Sequence, residues 1–146
     1  MLDMFDKSRI GIYEYLHGLF YNVVTKNVYP IEEPQELTAS DEKDGFLVIR
    51  IGDINDASEF SGNAYGWVRC YVTAYIPTKT RGRLDKEKYS AFEQGINTAI
   101  ENAANAPANA KYHVSETSVL SMDGSEQSNA NNFYLTFIKS FQVFIS

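Results

Sequence analysis

The chain has 146 residues, 44% of them hydrophobic and 14% aromatic, with a formal net charge of −6. It is long enough to bury a core and reads as one globular domain spanning residues 1–146, too apolar to be disordered. The acidic balance argues against a nucleic-acid binder, and no run approaches the ~20 apolar residues of a membrane span.

The first predicted element is a helix from Met4 to Lys26. Ile12, Leu16, Leu19, Phe20 and Val23 form one stripe of a 3.6-residue period, and Asp3 or Ser8 is a suitable cap. Gly11 and Gly18 weaken the helix, each by roughly 1 kcal/mol against alanine. Asp3 and Asp6 stand where a signal peptide needs positive charge, so export is not expected. Tyr29-Pro30 through Pro34 ends the helix and opens an acidic, exposed connection.

Phe46–Ile51 (FLVIRI) reads as a short strand between Asp44-Gly45 and Gly52-Asp53, and residues 53–65 as a polar loop. Trp67–Ile76 (WVRCYVTAYI) alternates as a strand does. Val68, Cys70, Val72, Ala74 and Ile76 make an ordinary core face, while Trp67, Arg69, Tyr71, Thr73 and Tyr75 make an aromatic and polar one. A basic turn, Pro77–Arg83, leads to the best-signalled helix. Asp85 caps it, Leu84 can staple onto Tyr89, and Tyr89, Phe92, Ile96, Ala99, Ile100 and Ala103 form its apolar stripe up to the block at Pro107. Two strands close the pattern, Tyr112–Met122 and Phe133–Ile145, joined by a polar loop. Phe133, Leu135, Phe137, Phe141, Val143 and Ile145 share one face of the last strand. Tyr134, Ile138 and Phe144 leave the other face partly apolar, which calls for cover on both sides. The order helix, strand, strand, helix, strand, strand predicts an α+β domain: a mainly antiparallel sheet with an N-terminal helix and a second helix packed on it.

Little here points to catalysis. His17 and His113, the only histidines, form no cluster of metal-ligand spacing with Cys70, and the loop around Asp53, Asn55 and Asp56 lacks calcium-loop spacing. There is no GxGxxG, no GxxxxGK[ST] and no GxSxG. No catalytic residue, metal or cofactor is therefore expected. Cys70, on the inward strand face, reads as a buried apolar side chain. An enzyme with dispersed acid–base residues stays open as a minor reading.

The charge is uneven. Residues 1–66 carry twelve acidic and five basic side chains, residues 67–146 seven and eight, and Lys79, Arg81, Arg83, Lys86 and Lys88 fall within ten positions. The turn with Lys79, Arg81 and Arg83 reads in three ways: a solvated connection, a contact with acidic residues of a neighbouring subunit, or an anion site before a helix N-terminus. The aromatic strand face reads either as packed beneath the two amphipathic helices or as an interface. A stacking platform for nucleic acid would need more positive charge around Trp67, Arg69, Tyr71 and Tyr75.

The segment VRCYVTAYIPTKTRGRLDKEKYSAFEQGINTAIENA, with its strand, P-x-x-x-x-G-x-x-D, helix passage, and the closing NNFYLTFIKSFQVFIS resemble the tail-terminator and tail-completion proteins of long-tailed bacteriophages. The resemblance lies in element order, length and texture along residues 1–146. It implies a structural protein of a virion or prophage, found in the virion or bacterial cytoplasm, that closes the tail tube as a homo-oligomeric ring, commonly of six subunits. Its partners would be the tail tube and head-completion proteins. The expected subunit interface is then Trp67, Arg69, Tyr71 and Tyr75 with Lys79, Arg81 and Arg83, set against an acidic patch in residues 32–59. The alternative is a small non-enzymatic protein-binding module using the same face.

Overall fold

In the computed structural model, residues 2–21, 23–31, 38–56, 66–78, 83–107, 111–127 and 133–145 are described. The apolar stripe of the first helix, α1 (Leu2–Phe20), behaves as its period demands: Ile12, Leu16 and Phe20 are fully buried. The helix stops six residues earlier than expected, so Val23 lies beyond it and is exposed, and the two candidate caps, Asp3 and Ser8, fall inside it. Among the described residues eight elements follow one another: α1, β1 (Val28–Pro30), α2 (Ala39–Asp44), β2 (Phe46–Asp56), β3 (Gly66–Pro77), α3 (Lys86–Ala104), β4 (Tyr112–Gln127) and β5 (Phe133–Ile145).

The five strands form one sheet in the order β1-β2-β3-β5-β4. Every pairing is antiparallel except β1 with β2, giving the α+β architecture expected from the element order. Two strands run past their expected ends. β2 continues through a bulge between Ile51 and Ile54, and β4 reaches Gln127 after a register shift between Ser115 and Leu120. Bulges let a strand bend while pairing continues, so polar composition alone marks such stretches as loops.

Both long helices lie on the same face of the sheet. Val68, Cys70, Val72, Ala74 and Ile76 are fully buried there with Leu47, Ile49, Phe137, Phe141 and Val143, against Ile12, Leu16 and Phe20 of α1 and Phe92, Ile96 and Ile100 of α3. Phe20 meets Phe141 edge-on at 6.3 Å and Tyr89 packs on Phe137 at 5.0 Å, distances at which aromatic pairs attract. Burying an aliphatic or phenylalanine side chain contributes about 1.5–3 kcal/mol, so this face outcompetes the mixed one for the helices. One charge sits among these positions: Lys139, 7% exposed, reaches Glu93 of α3 at 3.7 Å.

The third helix, α3, starts as read, with Asp85 accepting from the Lys88 backbone N–H at 3.2 Å and the predicted stripe buried from Phe92 to Ala103. Leu84 remains 40% exposed. No helix among the described residues is long and apolar enough to cross a membrane.

Candidate functional site

With both long helices on the inner face, the mixed face of β3 is the outer face of the sheet, and it divides into two ends. At one end Tyr75, only 4% exposed, stacks on Phe46 with centroids 4.5 Å apart and planes 9° from parallel. Tyr134 meets Phe46 edge-on at 5.7 Å, and Tyr29 meets it at 5.9 Å. These rings and Val48 form a second small core.

Tied to this end through Tyr29 is α2, an element hidden within the predicted acidic connection. Thr38 and Asp41 make a reciprocal capping box: the Thr38 hydroxyl accepts from the Asp41 N–H at 3.1 Å, and the Asp41 carboxylate accepts from the Thr38 N–H at 2.9 Å. The same carboxylate, fully buried, accepts from the Tyr29 hydroxyl at 2.7 and 2.8 Å. Burial and then this carboxylate push the Tyr29 phenol up to about 12. Asn27 donates to Ser40 Oγ and to the Gly45 carbonyl, both at 3.0 Å, and the Lys88 ammonium donates to the carbonyl of Lys43 in the last turn of α2.

Gly45 turns the chain from α2 into β2 with φ 86° and ψ 179°, a conformation that is essentially glycine's alone. A Cβ there would stand 2.5 Å from the Tyr75 carbonyl oxygen.

The other end of the outer face carries Trp67, Arg69 and Tyr71 of β3 beside Arg50 of β2 and Gln142 and Phe144 of β5. Trp67 is the cross-strand partner of Phe144, Arg69 of Gln142, and Arg50 of Tyr71. Here the rings stay accessible: Tyr71 is 39% and Phe144 41% exposed, with Trp67 and Arg69 half-buried and Arg50 exposed. Of the four aromatic-face residues expected at an interface, three therefore share this end. Tyr75 instead belongs to the covered core. Of the basic turn, Arg83 is exposed just before α3, whereas Lys79 and Arg81 lie outside the described residues.

Phe144 and Arg50 complete the patch and were not among the expected interface residues. The alternation of the last strand marks Phe144 as outward-facing. Its pairing with Trp67 depends on β5 lying beside β3, which spacing along the chain does not reveal.

Cys70 is fully buried, and burial pushes its thiol up to about 12. His113 places Nε2 2.8 Å from the Pro107 carbonyl, and His17 stacks on Tyr21 at 5.1 Å. Among the described residues no group of three or more His, Cys, Asp or Glu is placed to hold a metal ion. A groove of about 300 Å³ between α1 and β1 is lined by Tyr13, Glu14, His17, Pro30 and Ile49.

No protein-family model and no curated protein sequence matches this chain.

Proposed function

We propose that this chain is a non-enzymatic structural protein that associates with copies of itself, and that the open end of the outer sheet face is a subunit contact. One observation carries this reading. Trp67, Tyr71 and Phe144 share a surface with Arg50 and Arg69, while the rings at the other end of the same face bury one another in the second small core. Tryptophan, tyrosine and arginine are the residue types that dominate interface energetics, because they bury large areas and keep a polar handle. A patch built from them on a rigid sheet loses little entropy on docking.

Within that reading, the resemblance in element order and in the passage from β3 into α3 favours a tail-terminator or tail-completion protein of a phage or prophage. It would form a ring at the tail end or head–tail junction, with the tail tube and head-completion proteins as neighbours, and occur in the virion or bacterial cytoplasm.

The test is molar mass by light scattering over a concentration series, with negative-stain images of any large species. Tyr71→Asp and Phe144→Asp should each weaken self-association while the circular dichroism spectrum stays that of the parent. A protein that remains monomeric at every concentration overturns self-association and favours the binding-module reading, in which the same face would meet a different protein.

A further inference from the structure

We propose that the groove between α1 and β1 binds a small organic ammonium ion, a single positive charge carried on a compact apolar or aromatic body. The groove lies on the face of the sheet that carries the long helices, opposite the open patch, so the site does not depend on whether copies of the chain associate.

Tyr13, Glu14 and His17 fall within little more than one turn of α1 and share a flank of the helix, while Ile12, Leu16 and Phe20 face the core. Pro30 of β1 and Ile49 of β2 complete the lining, and Ile49 belongs to the buried core. The volume of about 300 Å³ lies at the lower end of the range for small-molecule sites, roughly 300–1,000 Å³. That suits a ligand of one ring or a short branched chain.

The chemistry of the lining selects the charge. Among the described lining residues Glu14 is the one acidic side chain, and no lysine or arginine stands with it. Arg9, one turn before Tyr13, is engaged elsewhere, donating to the Gly52 carbonyl at 2.9 Å. An ammonium group therefore meets a carboxylate and a tyrosine ring, whose face attracts cations. An anionic ligand would meet like charge. His17 stacks on Tyr21 with centroids 5.1 Å apart and planes 23° from parallel, which gives the wall a fixed ring for the apolar body to rest on.

Backbone strain marks the same place. Ile31, the residue after Pro30, holds φ at 73°, in the left-handed region that β-branched residues avoid, and its N–H donates to the Ile49 carbonyl at 2.7 Å. Strain of this kind persists only where the surrounding structure enforces it, and it gathers at ligand clamps and binding sites. It leaves the Ile31 side chain 58% exposed instead of packed in the core.

The experiment is a titration of the isotope-labelled protein, followed by amide resonances, with benzylammonium, benzyl alcohol and benzoate as probes. Benzylammonium should move the signals of Tyr13, Glu14, His17 and Ile49, with benzyl alcohol weaker and benzoate without effect. Glu14→Gln, at an exposed position, should lower the benzylammonium affinity about threefold to fivefold, the usual scale for an accessible charge pair, and leave benzyl alcohol unchanged. His17→Ala should weaken both. Tyr71→Asp, on the opposite face of the sheet, should change neither. Groove signals that stay still with every probe up to tens of millimolar overturn the site. Benzoate binding as well as benzylammonium, or a Glu14→Gln protein that keeps the full preference, overturns the charge assignment.

Discussion

Gly45→Ala tests how the outer face is built. At φ 86° and ψ 179° an alanine is strained in the backbone alone, by about 1–3 kcal/mol. Its Cβ would also lie 2.5 Å from the Tyr75 carbonyl oxygen, 3.0 Å from Pro77 Cδ and 3.1 Å from Phe92 Cζ, and the nearest of these is backbone in a central strand. Relieving such a contact typically adds 1–3 kcal/mol, as overpacking does. The expected total is therefore about 2–6 kcal/mol, with each kcal/mol lowering Tm by roughly 2–4 °C in a domain of this size. Gly18→Ala is the control. A Cβ there meets nothing within 4 Å and the position is an exposed helical one, so alanine should stabilise by up to about 1 kcal/mol. Urea unfolding followed by circular dichroism reads both. A Gly45→Ala protein within ~0.5 kcal/mol of the parent would refute the account of this turn.

Two further outcomes concern buried groups. Tyr29→Phe removes the hydroxyl donor to Asp41 and should cost about 1–3 kcal/mol at neutral pH. The phenol stands at about 12 in the folded protein against its ordinary 10.0, so its contribution is complete below pH 10 and is lost as pH rises towards 12. The difference in stability between parent and Tyr29→Phe should therefore shrink across that window, and a constant difference would remove Tyr29 as the cause. Cys70, with its thiol pushed up to about 12, should not react with an aromatic disulfide reagent at pH 8 until the protein is unfolded. Rapid labelling of the folded protein would contradict its burial.

The elements that burial alone organises were legible in the sequence. The Val68–Ile76 alternation, the Ile12-Leu16-Phe20 stripe and the capped helix from Asp85 each carry their period on one face, and each is buried as the period requires. What escaped was short or depended on pairing. β1 is three residues ending in Pro30, too brief for any alternation to show, and it exists because β2 offers it a parallel edge. The α2 helix has six residues and no apolar stripe, so its trace is the Thr38-Ala39-Ser40-Asp41 cap spacing. The division of the outer face was hidden for the same reason: Tyr75 is buried and Tyr71 exposed because Phe46 of β2 and Tyr134 of β5 fall beside Tyr75, a neighbourhood set by strand pairing.

The position of β5 governs the order in which this protein becomes a protein. It is the last strand to be synthesised among those described, yet it lies between β3 and β4 and pairs with β3 from Gly66 to Pro77. Until it emerges from the ribosome, β3 has an unpaired edge and Val68, Cys70 and Val72 lack the neighbours Phe141 and Val143. Contacts this distant in sequence form slowly, and an unpaired apolar strand is an aggregation site while it waits. Synthesis rate and temperature during expression should therefore affect the soluble yield of this chain more than its final stability does.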